Sequence, residues 1–156
     1  PLRGYVSCAV ECPYEGAISP EQVGETARRL LALADGDIEI ALGETLGVAD
    51  PDQIEAMLEE VEIDVPVAAI DLHLHDTRGK ALSCVERALE CGVRAFDSSC
   101  AGLGGCPFAP GASGNLATET LLDFLEEGGW TTNVDREAVL AAAAIANRIT
   151  GRKPDE

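Results

Sequence analysis

The chain has few of the features that mark membrane, nucleic-acid-binding or secreted proteins. Basic residues are scarce, since 11 Lys and Arg stand against 28 Asp and Glu, and the net charge is −17. Such a surface repels phosphate backbones and anionic lipids, so we expect neither nucleic acid nor a membrane as a partner. No apolar run reaches the roughly 18 to 20 residues of a membrane span, and the N-terminus has no signal-peptide pattern. These absences favour a cytoplasmic protein.

Aromatic residues and histidines are also few, whereas cysteine is relatively common, with six copies. Three disulfides would be possible in a secreted chain, but 156 residues that are 46% hydrophobic can bury a core without them. No CxxC pair occurs, and we expect reduced thiols. The acidic excess fits either an ordinary soluble protein or adaptation to high salt, where screening relieves self-repulsion.

The sequence repeats a strand, a loop and a helix four times. Helix starts are the clearest signals: Ser19, Pro20 and Gln22 form a capping-box pattern, and Asp50-Pro51 opens the next helix. Period-two and period-3.6 patterns predict the remaining elements. Strands are predicted at 4–10, 38–42, 67–75 and 93–98, and helices from 19, from 50, through 82 to 92, at 118–126 and at 135–148.

Strands that alternate with helices predict an α/β fold with a parallel sheet. An open doubly wound sheet and a segment of a closed barrel are both compatible with this order. No GxGxxG follows the first strand, and the reactive residues fall at or beyond the C-terminal ends of strands, where barrel enzymes build their sites. The sequence therefore predicts about four units of a (β/α)8 TIM barrel over residues 1–150, with a polar tail at 151–156.

The sharpest local motif is His73-Leu74-His75-Asp76-Thr77, which uses both histidines of the chain. Residues two apart on a strand project from the same face, so both imidazoles can approach one metal ion. The alternative is that both are ordinary polar residues at a strand end, with Asp76 capping the next helix. The motif alone leaves both interpretations open.

A glycine-rich stretch from Ala101 to Glu119 is the second feature of interest. Its glycines allow the backbone to approach a ligand, and a thiol at Cys106 would be reachable there. Taken separately, Cys106 could be a small buried apolar residue and Asn115 the cap of the following helix.

Taken together, these segments resemble hydroxymethylglutaryl-CoA lyase in order and spacing over roughly residues 3 to 150. The related isopropylmalate and homocitrate synthases share the HxH strand but have no cysteine at the position of Cys106. The segments that carry the resemblance are Tyr5-Val6-Ser7-Cys8, Cys12-Pro13-Tyr14-Glu15-Gly16, Gly43-Glu44-Thr45-Leu46-Gly47, the HxH motif, Gly102-Leu103-Gly104-Gly105-Cys106-Pro107-Phe108-Ala109 and Gly111-Ala112-Ser113-Gly114-Asn115-Leu116-Ala117-Thr118-Glu119.

The resemblance implies a role for each matching residue. His73, His75 and Asn115 would be metal ligands for Mg²⁺ or Mn²⁺, and Cys106 would be the catalytic cysteine. The implied reaction is cleavage of 3-hydroxy-3-methylglutaryl-CoA, an acyl-CoA, into acetyl-CoA and acetoacetate. A Claisen-type acyl-CoA synthase and a non-catalytic half-barrel are the alternatives.

The chain departs from the family in two ways. Glu44 replaces the usual Asp, and Arg78 and Lys80 stand where Tyr and Gln are common, which would favour an anionic ligand. The family's first strand supplies an aspartate ligand and an arginine, and its next unit a glutamate, none of which has a counterpart here. We therefore expect the isolated chain to have weak activity or none.

A half-barrel leaves two sheet edges and one sheet face uncovered. We expect four consecutive parallel strands with helices on one side, an open apolar face on the other, and the reactive residues along one rim. The uncovered surfaces would need the missing N-terminal half, and the complete protein would form a homo-oligomer.

Overall fold

A computed structural model describes residues 2–34, 37–105 and 114–151. Its strands are β1 (Leu2–Ser7), β2 (Glu11–Cys12), β3 (Gly16–Ala17), β4 (Ile38–Glu44), β5 (Ile70–Leu74) and β6 (Ala95–Asp97). Its α-helices are α1 (Pro20–Leu31), α2 (Pro51–Val61), α3 (Ala81–Glu90), α4 (Thr118–Glu127) and α5 (Arg136–Thr150).

Four of the strands form one parallel sheet in the order β1, β4, β5, β6. In the described register Tyr5 pairs with Ala41, Ala41 with Asp71, and Asp71 with Ala95, so these four residues form one row across the sheet. Each strand lies beside the next one in the sequence, as successive βα units require. The predicted α/β architecture of four parallel strands is confirmed.

The helix starts follow from local chemistry. The Ser19 hydroxyl accepts from the backbone N–H of Gln22, whose side chain accepts from the backbone N–H of Ser19. Asp50 and Gln53 form the same reciprocal pair at α2. Each cap satisfies backbone donors that the first helical turn leaves unpaired, and a proline follows each cap at the first helical position.

The helices α1, α2 and α3 cover one face of the sheet. Most side chains of that face are buried and apolar, and they pack against apolar residues of the helices. They include Val6, Ile40, Leu42, Ile70 and Leu72 from the sheet, with Val23, Ala27, Ile54, Leu58, Val85 and Ala88 from the helices.

The opposite face was predicted to be apolar, and this prediction is wrong. This face carries every second residue of each strand, and many of these residues are polar or charged. Their side chains form ion pairs with one another instead of packing against an apolar layer. The residues of this inner face are Arg3, Tyr5, Ser7, Glu39, Ala41, Gly43, Asp71, His73, Ala95 and Asp97.

The inner face is bridged from one sheet edge to the other by Arg3 and Tyr5. Arg3 Nη1 lies 3.0 Å from Asp97 Oδ1, and Tyr5 donates to Asp97 Oδ2 at 2.9 Å. In a flat sheet β1 and β6 would be roughly 14 Å apart, three strand spacings, which is too far for such contacts. The sheet must therefore curve toward this face, which is the curvature of half a barrel, and the small Ala41 leaves room for the crossing side chains.

Several element boundaries differ from the predicted ones. Residues 67–69, predicted as strand, form a 3₁₀ turn in which Ala69 N–H donates to the carbonyl of Pro66. The last strand of the sheet is also shorter than predicted at both ends. The β2–β3 hairpin was not predicted, because its strands are two residues long and give no periodic signal.

No helix in the described ranges is long and apolar enough to cross a membrane. Among the described residues, Cys12, Cys84, Cys91 and Cys100 are free thiols. Burial raises the pKa of Cys84 to about 11, so this thiol stays protonated and unreactive at neutral pH. The predicted tail at 151–156 lies, after Gly151, outside the described residues.

Replacing Arg3 should destabilise the sheet. Arg3 Nη2 lies 2.9 Å from Asp71 Oδ2, off the line of a hydrogen bond, and Asp71 is 4% exposed. Arg3→Met leaves that buried carboxylate without its cation. Because Arg3 itself is partly exposed, we expect a loss of about 1–3 kcal/mol, below the full cost of breaking a buried ion pair.

Arg28→Met is the control, since Arg28 also binds carboxylates, Glu25 and Asp64, but neither of them is buried. It should cost no more than about 1 kcal/mol. Urea unfolding followed by circular dichroism measures both variants. Equal losses would show that the Arg3 contacts are no stronger than surface ion pairs.

Candidate functional site

The two histidines lie at the C-terminal end of β5 on the inner face. His73 is the fourth residue of the strand, and His75 follows its last residue. Their ring centroids are 5.4 Å apart, with an interplanar angle of 52°. The alternation of the strand therefore brings both imidazoles to one side of the sheet.

Asn115 lies directly beside this pair. Its backbone forms a bridge with His75, and the flanking residues complete it: Leu116 N–H donates to the carbonyl of Leu74, and Asp76 N–H donates to the carbonyl of Gly114. The helix α4 begins only at Thr118, with Ala117 at its cap position, so Asn115 does not cap it. The strand end thus holds Asn115 next to His75.

The orientation of the Asn115 amide is fixed by one hydrogen bond. Its Nδ2 donates to the carbonyl of Leu103 at 2.7 Å, which leaves Oδ1 pointing away. Oδ1 is buried and has no hydrogen-bond partner in the described part of the chain. A buried acceptor in this state is costly unless a ligand satisfies it.

The Nδ1 atom of His75 is in the same condition, buried with no hydrogen-bond partner among the described residues. Burial, and then the neighbouring His73, lower the pKa of His75, so its imidazole is neutral near pH 7. Neutral imidazole nitrogen and amide oxygen are both metal-ligand types. The donor set of His73, His75 and Asn115 therefore fits a divalent cation.

This donor set carries no negative charge. Within residues 2–34, 37–105 and 114–151, no group of three His, Cys, Asp or Glu side chains is arranged to hold a metal ion. The inner-face carboxylates Asp71 and Asp97 instead contact Arg3. An anionic ligand would have to come from outside the described residues.

Two glycines allow the loop to approach Asn115 closely. Gly104 has φ of +97°, and a Cβ added there would lie 2.7 Å from Asn115 Nδ2. Gly114 has φ of +98°, and a Cβ there would lie 2.5 Å from the carbonyl oxygen of Gly102. Any larger residue would be strained in its backbone and would push against this contact.

The same loop is held at its start by Glu119. Both carboxylate oxygens of Glu119 accept from the backbone N–H of Ala101 at 3.0 Å. Ala101 has a left-handed φ of 57°, a conformation that costs energy for a residue with a Cβ. Glu119 thus stabilises a strained turn that leads into the glycine-rich stretch.

Glu44 holds a different loop. It is 2% exposed, and its carboxylate accepts from the backbone N–H of Val48 at 3.2 Å. Burial raises the pKa of Glu44, and hydrogen bonds from the backbone at 46–49 oppose that rise. The loop it holds packs on the turn after the HxH motif, since Arg78 N–H donates to the carbonyl of Gly47.

Sequence reasoning missed the residues around His73. Asp97 Oδ2 lies 3.5 Å from His73 Nδ1, and Tyr5 and Arg3 contact the same carboxylate. The signal was present in the sequence as polar residues at every second position of β1 and β5, together with Asp97 at the end of β6. Cys106, the predicted catalytic cysteine, lies outside the described residues.

Comparisons with known proteins show which family the chain belongs to. Residues 4–146 match the HMGL-like family. The chain belongs to this family. It is 54% identical over 151 residues to hydroxymethylglutaryl-CoA lyase of Pseudomonas mevalonii, covering 97% of this chain and 48% of that protein.

Solved HMGL-like structures have the same fold. The hydroxymethylglutaryl-CoA lyase of Pseudomonas aeruginosa superposes with a TM-score of 0.92 at 40% identity, over 99% of this chain and 51% of that one. The lyase of Acinetobacter baumannii, solved with coenzyme A and 3-methylmalate, gives a TM-score of 0.86 at 38% identity, over 97% of this chain and 49% of that one. The chain thus spans about half the length of its relatives.

The loop geometry predicts a large difference between two adjacent glycines. Gly104→Ala should destabilise the protein by about 1–3 kcal/mol and displace Asn115, because it adds both backbone strain and a clash. Gly105→Ala is the matched control, since a Cβ at Gly105 meets no atom of the described residues within 4 Å. It should change stability by less than about 0.5 kcal/mol.

Urea unfolding gives the stability of both glycine variants, and the chemical shifts of the Asn115 side-chain amide report its displacement. If the two variants behave alike, the close approach to Asn115 does not constrain the loop.

Proposed function

We propose that this chain forms the C-terminal half of a hydroxymethylglutaryl-CoA lyase, which cleaves 3-hydroxy-3-methylglutaryl-CoA into acetyl-CoA and acetoacetate. The observation that carries the proposal is the convergence of His73, His75 and the unpaired Asn115 oxygen at one strand end, in a chain of this family. The relatives named as lyases support the substrate and reaction.

His73, His75 and Asn115 would hold the metal ion, Mg²⁺ or Mn²⁺. When bound, such an ion polarises oxygen atoms of the substrate and favours loss of the hydroxyl proton. The protein supplies the positioning: β5 carries both imidazoles on one face, and the Leu103 carbonyl holds the Asn115 amide through its Nδ2, which leaves Oδ1 available. Oxygen and nitrogen donors without thiolate suit either ion.

The chemistry requires two proton transfers. A base removes the proton of the tertiary hydroxyl, the carbon–carbon bond breaks, and its electrons form the enolate of acetyl-CoA while the other fragment leaves as acetoacetate. An acid then protonates the enolate carbon, which yields acetyl-CoA. We assign this last protonation to Cys106, as its place in the glycine-rich stretch and the resemblance to the family support.

The complete barrel would be the active unit. The sheet has free edges at β1 and β6, and the relatives are about twice as long as this chain. The N-terminal half of a family member would cover those edges and bring the anionic metal ligand that the described residues do not provide. The complete protein would act in the cytoplasm as a homo-oligomer, with an acyl-CoA as its substrate.

A chimera tests the reaction. This chain would be fused behind the first half of the Pseudomonas mevalonii lyase, and acetoacetate release from 3-hydroxy-3-methylglutaryl-CoA would be measured. We expect turnover that a chelator abolishes, and a loss of about 10²- to 10⁴-fold in kcat for Cys106→Ser, because a general acid contributes this much.

Cys106→Ser should leave Mn²⁺ affinity nearly unchanged, and Cys100→Ser provides a thiol control in the same region. A folded chimera that binds Mn²⁺ but releases no acetoacetate would contradict the proposed reaction. Normal turnover in Cys106→Ser would contradict the role of the thiol alone.

Arg78 and Lys80 support an anionic substrate. Both are exposed, they flank Gly79 in the turn after the HxH motif, and neither has an ion-pair partner within the described ranges. A Cβ at Gly79 would meet no atom of the described ranges within 4 Å. In a chain with net charge −17, two unpaired cations beside the site favour a ligand that carries phosphates.

The double variant Arg78→Tyr with Lys80→Gln tests this contact in the chimera. We expect KM for the CoA thioester to rise about 3- to 10-fold at low salt, and this effect to shrink at high salt because exposed charges are screened. KM for the corresponding pantetheine thioester, which has no phosphate, should not change.

Arg29→Gln is the control, because Arg29 is an exposed cation on α1. Equal effects of the double variant on both thioesters would show that these side chains do not bind the phosphates.

A further inference from the structure

The carboxylate of Asp97 faces the imidazole of His73 across the boundary between β5 and β6. Its Oδ2 lies 3.5 Å from His73 Nδ1, and the two residues are partners in the strand register. Both are only partly exposed, at 26% and 30% of their side-chain surface. The contact therefore engages one specific nitrogen of the ring.

A carboxylate at Nδ1 decides where a neutral imidazole keeps its proton. A neutral ring has one N–H and one bare nitrogen, and an ionised carboxylate can only accept. A proton on Nδ1 is stabilised by Asp97, which leaves Nε2 bare. This is the state in which a histidine can bind a cation through Nε2.

Asp97 is itself held from the far edge of the sheet. Tyr5 on β1 donates to the same Oδ2 at 2.9 Å, and Arg3 Nη1 binds Oδ1 at 3.0 Å. Both oxygens are thus engaged, and the carboxylate cannot rotate away from His73 without losing a charge-assisted hydrogen bond.

We propose that Asp97 is a positioning residue that fixes the Nδ1–H tautomer of His73, and that Tyr5 and Arg3 act through it by holding its carboxylate. The inference rests on the proposed metal site, in which His73 is a ligand. It adds three residues from two other strands to that site, none of which would touch the metal or the substrate.

The tautomer can be observed directly, because the chain has two histidines. Long-range ¹H–¹⁵N spectra of the ¹⁵N-histidine-labelled full chain, recorded without metal at mildly alkaline pH, distinguish protonated from bare ring nitrogens. A His75→Gln variant assigns the two sets of signals. We expect His73 to show a protonated Nδ1 and a bare Nε2.

Asp97→Asn should move the His73 proton to Nε2, because the amide can present its NH₂ group to Nδ1. Its Mn²⁺ affinity, measured by calorimetry, should fall about 10- to 100-fold, the usual effect of losing a partner behind a ligating histidine. Tyr5→Phe should give a mixture of tautomers and a smaller loss. Tyr5 is 53% exposed, so Tyr5→Phe should fold. It therefore tests the inference even if Asp97→Asn does not fold.

Asp123→Asn is the control, since Asp123 is also a carboxylate bound by an arginine, Arg136, but on the surface. It should change neither the tautomer nor the affinity. A wild-type tautomer in both Asp97→Asn and Tyr5→Phe would overturn the inference. The tautomer test is independent of the proposed metal site, because the spectra are recorded without metal. Absence of Mn²⁺ binding in the chimera would contradict the metal site and not the tautomer.

Discussion

Arg3 is the one arginine or lysine in the four strands of the parallel sheet, and it contacts three carboxylates of the inner face: Glu39, Asp71 and Asp97. Burial raises the pKa of Asp71, and the charge of Arg3 opposes that rise, so the ionised form of Asp71 depends on this guanidinium. The same side chain joins the first strand to the last. The charge balance of the inner face therefore depends on this residue, which also shares with Tyr5 the contact between the two sheet edges.

The site is built from backbone pairing more than from side-chain packing. The segment at 114–116 hydrogen-bonds to the end of β5, and Asn115 N–H donates to the carbonyl of Gly104. These contacts fix Asn115 at both its main chain and its amide, which leaves a single oxygen free. Because each contact involves backbone, the position of Asn115 tolerates little change at Gly104 and Gly114.

Local signals in the sequence predicted much of the fold. The caps at Ser19 and Asp50 depend on residues three apart, and the helices follow from apolar spacing, so neighbours in the chain determine both. The HxH motif is equally local, since two residues on one strand must share a face. Only the family resemblance predicted that Asn115 lies beside the histidines. Residue spacing could not predict it, because Asn115 is 40 positions from His75 in the chain.

The failures of prediction involve contacts between distant residues. The inner face was expected to be apolar because parallel sheets usually have two apolar faces, whereas Arg3 and Tyr5 meet Asp97 across more than 90 residues of sequence. Asn115 would by its position be a helix cap, but pairing with His75 displaces the helix start to Thr118. Sequence patterns predict neither contact, because both depend on which strands lie side by side in the fold.

The charges around the site have a consequence for how a barrel of this family closes. His73, His75 and Asn115 bring no negative charge, and Asp97, the inner-face carboxylate beside His73, is bound by Arg3 and Tyr5. On the proposed metal site, a divalent ion held by this half alone keeps its full charge uncompensated, so its binding here is weak. An anionic ligand from the other half would strengthen binding in the closed barrel and not in the separated halves. A ligand that binds one state preferentially stabilises that state, so the metal ion would stabilise the closed barrel. Because this half brings no charged donor, the difference in metal affinity between the closed barrel and the separated halves is larger.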